Sequence, residues 1–145
     1  MRTSANGLAL IKQFEGLRLQ VYKDAAGLPT IGYGHKINPH FESFPNGIEE
    51  GPALALLQQD VDKVDAAMNA QHLALDLNQD QWDAVADFCF NLGTGALIMM
   101  LSHGINQIPA QLPRWCHAKV DGVETELPGL VARRAAEVAL YNTPI

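Results

Sequence analysis

The chain has 145 residues, 48% of them hydrophobic and 18% charged, which is enough to build one packed core and too apolar for a disordered segment. A formal net charge of −6 argues against a basic face for nucleic acid, which needs clustered Lys and Arg, and gives no long-range pull toward an anionic surface. Residues 1–7 lack the apolar core of a signal peptide, and the longest apolar run, residues 96–101, is far too short to cross a bilayer.

The elements follow in chain order. Ser4 or Asn6 can cap a short helix whose apolar face is Leu8, Ile11 and Phe14. Glu15-Gly16 closes it, so a carboxylate sits at the negative end of the helix dipole beside Phe14, a placement expected to raise its pKa. Leu17, Leu19 and Val21 alternate with Arg18 and Gln20, as in a half-buried strand. Asp24–Gly27 and Leu28-Pro29 are turn signals, and residues 30–35 read as a second strand, completing a small antiparallel sheet. Residues 36–48 read as a loop.

One long helix is expected from Glu49 to about Ala70, with Pro52 tolerated in its first turn. Leu57, Val61, Val64 and Met68 form its stripe, and Asp60, Asp62 and Asp65 take other faces. Asn78 and Gln81 suit a capping box ahead of a helix with Trp82, Val85, Cys89 and Leu92 on its buried side and Gly93 at its end. A shorter apolar helix spans roughly 94–102, a Pro-broken segment covers 106–118, and Gly122 sits in a turn. Leu130, Arg134, Val138 and Tyr141 mark a last helix, with Arg133 and Arg134 expected on a solvated face. Trp82 and Trp115 are expected in the core. Cys89 and Cys116 read as two buried thiols, a bridge between them being the lesser alternative.

Glu15 and Asp24 flank one strand and its turn, and Thr30 opens the facing strand. Two converging carboxylates suit acid–base hydrolysis of a glycosidic bond, one protonated and one ionised. With 16 acidic residues in the chain, spacing alone reads by default as two surface acids. The longer string decides. Glu15, eight residues, Asp24, five residues, Thr30, then Gly32-Tyr33-Gly34-His35 resembles the catalytic hairpin of the phage lysozymes, glycoside hydrolase family 24. The 49–70 helix is similar to that family's interlobe helix, Phe88–Gly93 to its Phe-Asn-x-Gly helix end, and Arg114-Trp115 with Leu127–Arg134 to its C-terminal half. Two stretches depart from it: the apolar, Pro-broken region 98–111, and segment 119–126, which is longer than the glycine turn of many relatives.

The resemblance implies a mostly helical α+β, lysozyme-like fold in a single domain, residues 1–145. A small β lobe at about 15–48 is joined by a helix at about 49–70 to a helical lobe at about 71–145, which also takes the N-terminal helix. It implies a muramidase cleaving the β-1,4 bond between N-acetylmuramic acid and N-acetylglucosamine. Glu15 would be the general acid, Asp24 the carboxylate that positions water and steadies the oxocarbenium-like charge, and Thr30 a hydroxyl holding that water. An inverting route would place the two carboxyls roughly 6.5–9.5 Å apart. Tyr33, Gly34, Phe90 and Asn91 would contact glycan, although Phe90 and Asn91 read equally as a core aromatic and a helix-end amide. His35 would pair structurally with Asp60, raising the pKa of His35 and lowering that of Asp60.

The histidines at 35, 40, 72, 103 and 117 show no ligand spacing, so neither metal nor cofactor is expected. The expected partner is bacterial peptidoglycan, with no nucleic acid and no membrane insertion, and the chain is expected to be a monomer. As a phage endolysin it would collect in the host cytoplasm and reach the wall after membrane permeabilisation. The rival readings are a lytic transglycosylase, a non-catalytic glycan-binding module, and an effector with the same chemistry.

Overall fold

The computed structural model describes residues 1–145. Ser4 is the first cap: its hydroxyl accepts from the Asn6 N–H at 3.1 Å, and helix α1 (Ala5–Glu15) follows. Three antiparallel strands come next, in the order β1 (Arg18–Lys23), β2 (Pro29–Gly32) and β3 (His35–Lys36). Tyr22 stands opposite Thr30, and Ile31 opposite His35.

The single strand expected over residues 30–35 is thus two strands. Gly32 (φ 67°) and Gly34 (φ 68°) take the left-handed region, and the chain reverses at Tyr33-Gly34 so that Lys36 joins the sheet instead of a loop. The half-buried pattern expected in β1 is absent. It is the outer strand, none of its residues is buried, and Leu19 and Val21 remain almost half exposed.

Helix α2 (Glu50–Ala70) buries Leu57, Val61 and Met68 as the periodicity predicts. Asp65 differs from expectation. It stands four residues after Val61 and three before Met68, which is the same face, and it is buried. Its carboxylate accepts from the Thr3 N–H (3.0 Å), the Thr3 hydroxyl (2.7 Å) and the Trp82 indole N–H (3.0 Å), tying the N-terminal segment to two helices.

Helix α3 (Gln79–Leu92) begins with the Asn78/Gln81 capping box and ends at Gly93. Helix α4 (Thr94–Leu101) buries Leu97 and Met100 and leaves Ile98 and Met99 exposed. A short α5 (Ile108–Gln111) leads to a hairpin of β4 (His117–Val120) and β5 (Val123–Glu126), where the sequence indicated only a turn. Asp121 (φ 51°) and Gly122 (φ 79°) form its two-residue loop with both φ positive, as a type I′ turn requires. Helix α6 (Pro128–Tyr141) then packs along α3.

The architecture is mostly helical α+β. Its apolar interior falls into two clusters. Ile11, Tyr33, Ala53, Leu57 and Val61 join α1, the sheet and the first part of α2. The larger cluster is built around Trp82, Phe88, Leu97 and Met100 and takes in Met68 from the far end of α2. The Trp115 ring meets Phe88 edge-on at 5.5 Å and packs against this cluster, as expected of a core residue. Both thiols are free and buried, and burial pushes Cys89 up to about 11.

Removing the Asp65 carboxylate strands three buried or half-buried donors. Asp65→Ala is expected to cost about 3 kcal/mol, the upper end for a buried group left without its partner. Urea titration at neutral pH measures it, and a loss below about 1 kcal/mol would refute the anchoring role.

Candidate active site

Glu15 is the last residue of α1, and its side chain keeps 17% exposure. Arg133 of α6 donates from Nη1 to Glu15 Oε1 at 2.8 Å. The same guanidinium donates from Nε and Nη2 to the two oxygens of Asp87 on α3, at 2.9 and 2.8 Å. Asp87 is fully buried and Arg133 nearly so, which corrects the solvated face expected for Arg133 and Arg134. Burial opposes the charge on Arg133, but the hydrogen bonds and fields of Asp87 and Glu15 outweigh it, and the guanidinium holds its proton more tightly than usual.

The other face of Glu15 meets Gly34. A Cβ built there would drive into the Glu15 carboxyl and lie 3.2 Å from its Cγ. Gly34 is therefore the floor under the acid, and its φ of 68° independently favours glycine.

Asp24 sits in the β1–β2 turn. Its Oδ1 accepts from the backbone N–H groups of Ala26 (2.9 Å) and Leu28 (2.8 Å), and Oδ2 pairs with the Lys36 ammonium. The Lys36 hydrogen bond and that from Leu28 hold its carboxyl below the usual carboxylate range. Thr30 is fully buried and donates to the Leu28 carbonyl at 2.9 Å, so its hydroxyl fixes the residue whose N–H fixes Asp24. Tyr22 feels the charge of both acids. Burial raises its pKa first, and the charges of Glu15 and Asp24 push the same way against Arg18.

His35 and Asp60 meet as expected, Nδ1 to Oδ2 at 2.7 Å. A second partner was not anticipated: Glu42 reaches Nε2 at 2.8 Å. Asp60 and Glu42 together raise the His35 pKa against its burial. Backbone donation from Asn38 and the bond from His35 hold Glu42 low despite its own burial.

The proposed glycan contacts separate. Gly34 and Phe90 line one hollow of about 290 Å³ bounded also by His35 and Asp60. Asn91 accepts at Oδ1 from Arg134 Nη2 at 2.8 Å, which leaves only its amide N–H groups unclaimed. Tyr33 is 8% exposed in the cluster of α1 and α2, with Lys12 over its ring, so it presents little surface to a ligand. Beyond Glu15, Phe14, Arg133 and residues 127–130 bound a groove. Ala25 and Ala26 face the β4–β5 hairpin across a wider space of about 660 Å³. The nearest approach to a metal-ligand set is Cys116, His117 and Glu126 at the hairpin base. There the two imidazole nitrogens face different partners, Nδ1 the thiol at 3.4 Å and Nε2 the carboxylate at 3.9 Å.

Arg133, Asp87, Lys36, Tyr22 and Glu42 were missed by the sequence reading. One signal was present for α6: Arg133, Arg134 and Glu137 share the spacing of Leu130, Val138 and Tyr141, which places charge on the packed face.

Four similarities bear on this arrangement. The profile of the phage lysozyme family matches residues 12–137. The endolysin of Acyrthosiphon pisum secondary endosymbiont phage 1 is 40% identical over 149 residues, covering 99% of each chain, and that of Bacillus phage PZA is 36% identical over 99% of this chain, which spans 56% of that relative's length. Among solved structures, the muramidase domain of SpmX from Asticaccaulis excentricus matches with a TM-score of 0.80 at 32% identity, over 99% of both chains.

Two predictions follow from this geometry. Gly34→Ala displaces the Glu15 carboxyl and is expected to lower wall-lysis rates on the order of 100-fold, the scale of a 1 Å misplacement. Near-normal lysis would show that the carboxyl has room to move. For His35 the folded pKa is raised, so its contribution is complete below the unfolded value of about 6.5 and is lost as pH rises through the folded value. His35→Asn is expected to cost about 3 kcal/mol near pH 6, the low end for breaking a buried ion pair, with the deficit shrinking toward pH 9. Urea titrations across that range check it, and a deficit independent of pH would count against the charged pair.

Proposed function

The chain belongs to the phage lysozyme family, and from that premise we propose how its residues do the work of an endolysin, a muramidase that degrades peptidoglycan. The bond cut is the β-1,4 link between N-acetylmuramic acid and N-acetylglucosamine. The observation that carries the reading is the pair of carboxyls held in opposite ways. Glu15 sits at a helix end against one shared guanidinium, and Asp24 sits in a turn bound by two N–H groups and an ammonium.

Glu15 gives its proton to the leaving glycosidic oxygen. Arg133 then faces the carboxylate left behind and stabilises it at the moment it forms. Two of the guanidinium's three hydrogen bonds go to Asp87, so Arg133 steadies Glu15 without holding it permanently as a full counter-ion. Asp24 stays ionised, because its donors favour the anion, and offsets the positive charge that grows on the sugar ring. It also orients the attacking water on the opposite face, giving inversion. Thr30 donates its hydroxyl hydrogen bond to the Leu28 carbonyl, so toward that water it offers only an acceptor, and its larger contribution is to keep the Asp24 turn closed.

Phe90 and the free amide N–H groups of Asn91 are placed for the glycan's acetamido groups, and Gly34 lets the chain pass close to the acid. The protein acts as a monomer without a cofactor. No helix is long and apolar enough to cross a membrane.

Glu15→Gln is expected to abolish turnover and leave the unfolding midpoint near wild type. Mass analysis of soluble products from purified peptidoglycan should give reducing N-acetylmuramic acid ends with the wild type alone, first released as the inverted anomer by NMR. Anhydro ends would move the chemistry to a transglycosylase. No product from either protein would leave only glycan binding.

A further inference from the structure

Behind the Glu15–Arg133–Asp87 chain lies a buried acid that the proposed mechanism does not use. Glu137 of α6 is fully buried and accepts from Arg134 Nη2 at Oε1, 2.6 Å. Its second oxygen, Oε2, is buried without a hydrogen-bond partner, and so is Arg134 Nε. Across the α3–α6 interface Asp87, which is also fully buried, acts on the Glu137 carboxyl as a hydrogen-bond partner and as a like charge, each favouring its protonated form. Two carboxylates meeting in a buried site disfavour each other's ionised form, which drives one of them to keep its proton. Asp87 already accepts two N–H bonds from Arg133, one on each oxygen, which favours its ionised form. The proton therefore belongs on the carboxyl that has the orphaned oxygen.

We infer that Glu137 is a neutral carboxylic acid at neutral pH, donating from Oε2 to Asp87, and that it is a positioning residue for the Arg133 clamp on Glu15. Its effect on Glu15 rests on the catalytic assignment above; its protonation does not. Burial pushes the Glu137 carboxyl up to about 9, and Asp87 works in the same direction against Arg134. The charged groups meeting Glu137 are Asp87 from α3 and Arg134 on its own helix. Glu15 of α1 reaches the cluster only through Arg133, and the preceding segment offers Arg134 the Trp115 carbonyl while its own Arg114 is exposed.

The charge count explains why the proton matters. With Glu137 neutral, the two guanidiniums are matched by Asp87 and by the Glu15 carboxylate that proton donation leaves behind. With Glu137 ionised, Asp87 and Glu137 would cancel both arginines, and Arg133 would have less to offer the catalytic group. The hydrogen bond also ties the Asp87 carboxylate to a second partner besides Arg133, so the guanidinium is aimed from a more rigid base.

A carboxyl whose folded pKa is raised makes the fold lose stability as pH climbs from about 4.3 toward the folded value, because the folded state keeps a proton that the unfolded state releases. Glutamine at 137 keeps the donor and the acceptor and removes that proton. Measured in the Glu15→Gln background, so that the catalytic acid is silent, the infrared difference between Glu137 and Glu137→Gln proteins at neutral pD should contain the carbonyl band of an undissociated acid. Glu137→Gln should also unfold at a higher temperature at pH 8 and lose about one proton of uptake on folding. If that variant fails to fold, carbon-13 titration of glutamate carboxyls in the Glu15→Gln protein replaces it. One carboxyl should then keep its protonated shift through pH 7.

No acid band, or every glutamate ionised by pH 7, overturns the proton. In the otherwise wild-type enzyme, Glu137→Ala should lower kcat with little change in KM, and Glu137→Gln should restore most of the loss. A glutamine no better than alanine overturns the positioning role while leaving the protonation result standing.

Discussion

The rest of the structure depends on one guanidinium. Arg133 is carried by α6, held by Asp87 of α3 and turned toward Glu15 at the end of α1. Three helices far apart in the chain therefore converge on a single planar group with a fixed fork of donors. Burying such a charge is expensive, and a pair of apolar residues at the same place would pack at less cost. The arrangement is best understood from its outer end, where Glu15 alone of the three partners retains solvent exposure. A small slide of α6 along α3 would move the donor that faces the acid, so packing of the larger apolar cluster is transmitted directly to the Glu15 carboxyl.

The two carboxyls show how local structure sorts chemistry. Asp24 is held by its own turn: the donors are two and four residues away, and Thr30 braces the loop from the facing strand. Little outside the hairpin is needed except Lys36, itself the neighbour of Thr30 across the β2–β3 pair. Glu15 has no such local support. Its only hydrogen-bond donor comes from 118 residues further along, and its floor is the bare backbone of Gly34. One acid is set by a turn, the other by the tertiary fold.

That difference also governs what could be read from the sequence. The α1 cap, the Asn78/Gln81 box, the α2 stripe and the spacing of Glu15, Asp24 and Thr30 are short-range features, and all were legible. Asp65 was legible in principle, since its position relative to Val61 and Met68 fixes its face, but an acid was assumed to seek solvent. Asp87 and Arg133 are ordinary charged residues until they are brought together across 46 positions. Glu42 lies in a stretch without periodicity, and its contact with His35 depends on the reversal at Tyr33-Gly34, which a reading of residues 30–35 as one strand conceals. The β4–β5 hairpin has no buried residue on either strand, so it lacks the alternation that marks a strand, and only Asp121-Gly122 hinted at it.

Adjacent residues of α6 reach different parts of the site. Arg133 holds Glu15, while Arg134 holds Asn91 at the end of α3 and the Trp115 carbonyl ahead of the hairpin. Successive residues on a helix point about 100° apart, so a single turn of α6 can address the acid and the Phe90–Asn91 edge at once. The relative placement of these two features is thereby set by one rigid element instead of by loops. Neither arginine could be exchanged for lysine without loss, because each divides its donors among partners in different directions, and a single ammonium on a flexible stem cannot reproduce that fork.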